Sequence, residues 1–471
     1  MPKTIKTNII PAEQYFVKVA GASVLDKKAI CTFIATGFFL DNDTYWEDVK
    51  TLRPGTVNTI DDNGYLIDSE PWFNWHYTPR TISFETAVEE FTEIFDRINQ
   101  RDLKDRDIIL PISGGLDSRS QVVSLLPFKN SIQSYSYSFT NGYKESKIAR
   151  KIAKKAKFNF KEFLIPKGYL WQKIDEAAQI NKCYAEFTHC RQLGVLDEYP
   201  AMGDVFSLGH WGDVLFDKVT DKNLSHAGQV GYLIKSVVKP EGVRLADELW
   251  EYWNLEGNFE SYLETRISNL LSAISITDIN AKLRAFKSLY WAPRWTSVNL
   301  AFFSKQHVVS LPYYENEICE FICTLPEAYL ADRKIQIAYI KNKSTEIAKV
   351  TWQDKRPFNL YNYKWCKAPY NLPYRLLNKF KRMLNDIVGK KYIQRNWELQ
   401  FLGEKNNSEL NNYLSGSNIS DIIDKEVVEN TMQRFLNGNQ KHTSHALSML
   451  LTLAVFSNHF LYNKEKHIKN N

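Results

Sequence analysis

At 471 residues the chain exceeds what one small core needs, and it predicts two or three domains. A composition of 44% hydrophobic and 24% charged residues excludes a disordered or fibrous protein. The net charge, +6 from 60 basic and 54 acidic residues, is small for this length and argues against a nucleic-acid partner.

The first segment, "MPKTIKTNIIPAEQYF", lacks an apolar signal-peptide core, so a cytoplasmic chain with reduced thiols is expected. Residues up to about 80 predict short strands and turns, with Asn63-Gly64 as a hairpin signal between "TVNTID" and "YLID". Ser83 to Gln100 predicts an amphipathic helix. Ser83 and Glu85 supply capping chemistry, and Ala87, Phe91, Ile94 and Ile98 share one face.

Strands and helices then alternate. "DIILPI" predicts a buried strand, "SRSQVVSLL" a helix, "SIQSYSYSF" a strand, and "KESKIARKIAKKAKF" a basic helix. "NFKEFLI" is a candidate third strand, and "GDVFSLGHWGDVLF" holds a fourth followed by a turn. The fold class is therefore α/β, a parallel twisted sheet flanked by helices, with ligands at the carboxyl ends of its strands. In the basic helix, Ile148, Ala149, Ile152, Ala153 and Ala156 form an apolar stripe opposite the lysines, which reads as a solvated face.

Beyond residue 240 the pattern is mainly helical. "GSNISDIIDKEVVENTMQRFL" predicts a helix capped by Ser420 or Asp421. "ALSMLLTLAVF" predicts a buried helix, too short to span a bilayer. A polar Lys/Asn tail ends the chain. The six cysteines are Cys31, Cys183, Cys190, Cys319, Cys323 and Cys366, with no C-x-x-C pair. Cys319 and Cys323, one helical turn apart, read as two small apolar residues on one face rather than half a metal site.

The chemistry concentrates in Ser113-Gly114-Gly115-Leu116-Asp117-Ser118, between a strand and a helix. Glycines let backbone N–H groups approach an anion, and the helix start adds unsatisfied donors and partial positive charge. The serine hydroxyls can donate to phosphate oxygens. Asp117 repels phosphate, so its natural role is to hold Mg²⁺. The Walker and dinucleotide spacings are both absent.

S-G-G-L-D-S after "ILPI" resembles the pyrophosphate loop of the N-type ATP pyrophosphatases (PP-loop proteins), and within them the asparagine synthetase-like family. "SLGHWGDVLFD" is similar to the family's S-G-E-G-x-D-E-L-F loop, "SLPYYEN" to R-x-P-F-L-D, and "KVTWQDKRPFNL" to W-R-x-K-x-x-F. The resemblance implies an adenine nucleotide α-hydrolase-like sheet, with a β-rich N-terminal region and a helical C-terminal region. It implies ATP and Mg²⁺ as cofactors. Ser113, Gly114, Gly115, Leu116, Asp117 and Ser118 would hold pyrophosphate, and Leu110, Phe139, Leu208 and Gly209 would frame the adenosine. Asp117 and Asp213 would hold the metal, with Asp213 as helix cap the competing reading. Lys355 would stabilise charge on the phosphates.

The sequence departs from the family at His210, where the family has glutamate, at Trp211, where it has glycine, and at Val214 and Ser310. His210 stands either as a replacement catalytic base or as a plain substitution. Residues 1–80 resemble a remnant of a glutaminase domain without its nucleophile, since Pro2 follows Met1 and Cys31 falls in an apolar segment. Residues 81–370 would form the synthetase domain and 371–471 its helical extension. The implied activity is AMP-forming amide ligation. A small-molecule or peptide carboxylate is the substrate, and ammonia comes from solution or a separate glutaminase. The alternatives are a degenerate nucleotide-binding partner and a tRNA-modifying enzyme.

Overall fold

The computed structural model describes residues 2–128, 131–142, 146–188, 191–387, 393–416 and 418–468. Cys190, the first residues of the basic helix and the end of the Lys/Asn tail lie outside them.

The N-terminal region is antiparallel. Strands β1 (Lys3–Lys6), β4 (Thr56–Ile60) and β5 (Leu66–Pro71) form one sheet in the order β1-β4-β5, and β2 (Phe16–Lys18) pairs with β3 (Val49–Thr51). The expected β4–β5 hairpin forms. Gly64 takes φ 86°, and the Asp61 carboxylate accepts from the backbone N–H groups of Asn63 and Tyr65 at 2.9 and 2.7 Å. Between β2 and β3 in the chain comes α1 (Lys27–Thr36), buried from Ala29 onward and packed against the helix Pro240–Tyr252. Cys31 is inside α1, its thiol 3.6 Å from the Ala246 carbonyl and its pKa pushed up by burial.

Helix α2 (Phe84–Leu103) starts where expected, with the Ser83 hydroxyl accepting from the Thr86 N–H at 3.0 Å. Then come β6 (Ile108–Pro111), α3 (Leu116–Leu125), β7 (Ile132–Phe139), α4 (Ser146–Ala156), β8 (Asn159–Ile165), α5 (Tyr169–Asn181), β9 (Val205–Ser207), α6 (Gly212–Leu215) and, much later, β10 (Val308–Ser310). These five strands make one parallel sheet in the order β10-β9-β6-β7-β8. The central β6 reads as a continuous apolar run because both of its faces are covered, and Ile108, Ile109 and Leu110 are fully buried. β10, three residues on the sheet edge, has no strand signal in the sequence.

Most of the remaining chain is helical. The buried helix Gln440–His459 contains "ALSMLLTLAVF" as expected. Cys319 and Cys323 lie buried on the helix Asn316–Cys323. The helix Lys425–Asn437 begins later than expected. Its cap is Asp424, accepting from the Glu426 N–H at 2.7 Å, while Ser420 and Asp421 belong to a separate short turn. Among the described residues no helix is long and apolar enough to cross a membrane.

Candidate active site

In a parallel sheet all the strand carboxyl ends face one way. The chain order reverses between β6 and β9, so the loops leaving those two strands diverge and open a crevice. A cavity of about 650 Å³ lies there. Pro111, Ser113, Asp117 and Ser118 line it from the β6 side, and Leu208, Gly209, His210, Trp211 and Asp213 from the β9 side.

Gly115 is the residue before the first turn of α3, and no side chain caps that turn. The opening N–H groups of α3 therefore remain as anion donors beside the cavity. The loop itself is bonded internally. The Ser118 hydroxyl accepts from the Ser113 N–H at 3.0 Å and lies 2.9 Å from the Ser113 hydroxyl, which accepts from the Gly115 N–H at 3.2 Å. Gly114 donates to the Gln353 side-chain oxygen at 3.0 Å, and the Gln353 N–H donates back to the Gly114 carbonyl at 3.0 Å.

Close approach explains two glycines. A Cβ on Gly114 would lie 2.7 Å from Gln353 Cβ, and one on Gly209 would lie 2.8 Å from the Asp117 carbonyl carbon. At both positions another segment passes too near for a side chain.

Asp117 is half-buried in the first turn of α3 and carries protein partners that the sequence reading did not assign. Arg333 forms an ion pair with its Oδ1, and Gln336 donates to the same oxygen at 2.9 Å. Gln336 also donates to Tyr313 at 2.8 Å and accepts from Arg333 Nε at 2.6 Å. Burial pushes the Asp117 pKa up to about 6. Arg333 pulls it down, and neighbouring Asp213 pushes it up. Asp332 and Arg333 both adopt left-handed backbone, at φ 59° and 58°, just before the helix Lys334–Lys343 that carries Gln336.

Asp213 sits in the first turn of α6, exposed and facing the cavity; the residue preceding that helix is Trp211. Asp117 and Asp213 are thus two carboxylates lining the same cavity from its two sides, and among the described residues no third His, Cys, Asp or Glu joins them. A cation bound there would share Asp117 with Arg333, leaving phosphate oxygens and water to complete its shell.

His210 lines the cavity half-buried, with Nδ1 buried and without a hydrogen-bond partner among the described residues. Burial lowers its pKa to about 4 against the pull of Asp213, so its imidazole is neutral at neutral pH. Trp211 is buried at φ 77°, a left-handed position that glycine would occupy without strain, and its indole N–H donates to Ser288 at 3.0 Å.

The remaining expected residues fall into two groups. Leu208 lines the cavity, but its N–H donates to the Ser310 carbonyl at 3.0 Å and its carbonyl accepts from Gln121 at 3.2 Å, so neither backbone group is spare. Leu110 is inside β6, and Phe139 ends β7 with the Arg191 guanidinium 5.6 Å from its ring. Lys355 is outside the cavity lining, its ammonium 5.7 Å from the Trp352 ring. Its segment does reach the loop, through Gln353. Arg119 pins that segment in place, donating to the carbonyls of Val350 and Thr351 at 2.9 and 3.0 Å. Burial lowers the Arg119 pKa to about 10.

The sequence reading missed Lys287, on the helix Ile279–Tyr290. It lines the cavity with Tyr232, Trp291 and Trp295, its ammonium 5.6 Å from the Tyr232 ring and 5.8 Å from the Trp291 ring. Burial lowers its pKa, opposed by Asp213. No sequence signal distinguishes it from the other lysines.

A five-stranded parallel sheet flanked by helices, with S-G-G-L-D-S at its switch point, makes this an α/β protein. Residues 94–185 match the family described as asparagine synthase. That match runs from the middle of α2 to just past α5 and includes the whole loop. No curated protein matches. Among solved structures, a glutamine-dependent NAD+ synthetase from Acinetobacter baumannii in complex with adenosine diphosphate is 13% identical, over 34% of this chain and 28% of that chain, with a TM-score of 0.19.

Proposed function

We propose that the protein is an ATP-dependent, AMP-forming amide ligase. The observation that supports this most is the uncapped start of α3, with Ser113, Asp117 and Ser118 facing a cavity at the strand switch point. ATP would place its β- and γ-phosphates on the α3 N-terminus and the two serine hydroxyls. Asp117 and Asp213 would hold Mg²⁺, which when bound neutralises phosphate charge.

The substrate carboxylate attacks the α-phosphorus, and the α–β bond breaks to release pyrophosphate. Ammonia or an amine then attacks the acyl carbon, AMP leaves with the C–O electron pair, and the amine gives up a proton. Neutral His210 is available to take that proton, although its lowered pKa makes it a weak base. Lys287 suits the substrate carboxylate, its ammonium lying beside the Tyr232 and Trp291 rings in the cavity. We place residues 1–80, 81–370 and 371–471 as glutaminase-like remnant, synthetase domain and helical extension, and the chain in the cytoplasm. Cys31, buried in α1, is unsuited as a nucleophile, so the nitrogen would come from free ammonia, a separate glutaminase or the acceptor itself.

The Arg333–Asp117 pair favours a second reading, a nucleotide-binding partner whose own chemistry is lost. One experiment separates the two: pyrophosphate release from Mg·ATP across a panel of carboxylates and amines, with Asp117→Ala as control. Release above that control supports the ligase. ATP binding without release under any combination supports the second reading.

A further inference from the structure

Outside the site, one surface stands apart. Of the sixteen large hydrophobic side chains exposed among the described residues, eight lie between Tyr361 and Met383, each 41% to 64% exposed. Single exposed apolar residues are ordinary, but half of them in one short stretch make a patch.

The patch centres on the helix Leu372–Ile387. At about 100° per residue, Leu372, Leu376, Phe380 and Met383 fall near 0°, 40°, 80° and 20°, a single stripe. Arg375 and Lys379, both exposed, fall near 300° and 340°, along one flank of the stripe, and exposed Leu377 falls near 140° on the other. The sequence from 372 to 391 holds six Lys and Arg against one Asp. Just before the helix, the exposed rings of Trp365 and Tyr370 stack at 6.0 Å. Nothing among the described residues covers the apolar stripe.

Charge decides what covers it. A second copy would bring two strongly basic helices together, and the cores of protein interfaces are depleted in lysine. An anionic bilayer meets every feature. Leucine and phenylalanine enter the acyl boundary, Arg and Lys meet lipid phosphates, and Trp and Tyr sit at headgroup depth. We propose that the helix Leu372–Ile387, with the aromatic pair before it, docks this protein in-plane on an anionic lipid surface, without a membrane span. The helix closely follows the segment bearing Gln353, so docking would hold the candidate site at that surface whatever reaction it runs.

The test is co-sedimentation of the full chain with vesicles of phosphatidylcholine alone or with about a third phosphatidylglycerol. Binding should be at least about tenfold tighter to the anionic vesicles and weaken with salt. Leu376→Glu with Phe380→Glu should abolish it; both side chains are exposed, so circular dichroism should be unchanged. Arg375→Glu with Lys379→Glu should remove the preference for anionic lipid. Absence of vesicle binding, or binding that survives Leu376→Glu with Phe380→Glu, overturns the proposal. So does sedimentation velocity without lipid showing a dimer that the same double variant dissociates, because the stripe would then be a protein interface.

Discussion

Replacing Trp211 by glycine sets two opposed effects against each other at the cavity wall. Relief of the left-handed backbone at φ 77° would stabilise the variant by about 1–2 kcal/mol. Against this, the indole is 7% exposed, and removing a buried side chain of that size costs about 3–5 kcal/mol. Its hydrogen bond to Ser288, a fully buried residue, contributes about 1 kcal/mol more, and glycine's freedom in the unfolded chain about another 0.5–1. Packing wins, and Trp211→Gly should be destabilised by about 3–5 kcal/mol. Urea unfolding followed by far-UV circular dichroism measures this as a lowered midpoint at unchanged slope. Trp211→Phe, which keeps most of the burial but loses the hydrogen bond, should lose only about 1–2 kcal/mol. A glycine variant as stable as the parent would refute the reasoning, since the indole would then contribute less than the strain it causes.

Three further outcomes follow from the site. Gly114→Ala places a methyl against Gln353 Cβ, so it should part the loop from that segment, cost about 1–3 kcal/mol in thermal unfolding and weaken ATP binding by calorimetry. His210 has a folded pKa near 4, below its ordinary 6.5. The stability it contributes is complete above pH 6.5 and is lost as pH falls towards 4, about 3 kcal/mol in all; a pH series of unfolding midpoints should flatten over that window in His210→Gln. Lys287→Met should raise the KM for the carboxylate in pyrophosphate release about tenfold or more, with the ATP KM little changed. An equal rise in both would place Lys287 on the phosphates instead.

The legible parts of this protein are those where local chemistry and tertiary role coincide. S-G-G-L-D-S marks a strand-to-helix turn because only such a turn makes use of adjacent glycines before a helix start. The apolar run of β6 and the period of α2 report burial directly. Other features have no local signature. β10 is three residues long, and only its pairing with β9 makes it a strand. Ser420 and Asp424 offer the same capping chemistry, and where the preceding turn packs chose between them.

From sequence alone follow the parallel α/β class, the strand-to-helix setting of S-G-G-L-D-S and the long helix α2. Each depends on residue type and near neighbours. Only the tertiary structure decided that Arg333 faces Asp117, 216 residues away, that Gln353 rather than Lys355 meets the loop, and that Lys287 completes the cavity. Those pairings join segments that the chain order separates, and a lone Arg, Gln or Lys looks the same in sequence whether it faces solvent or a site.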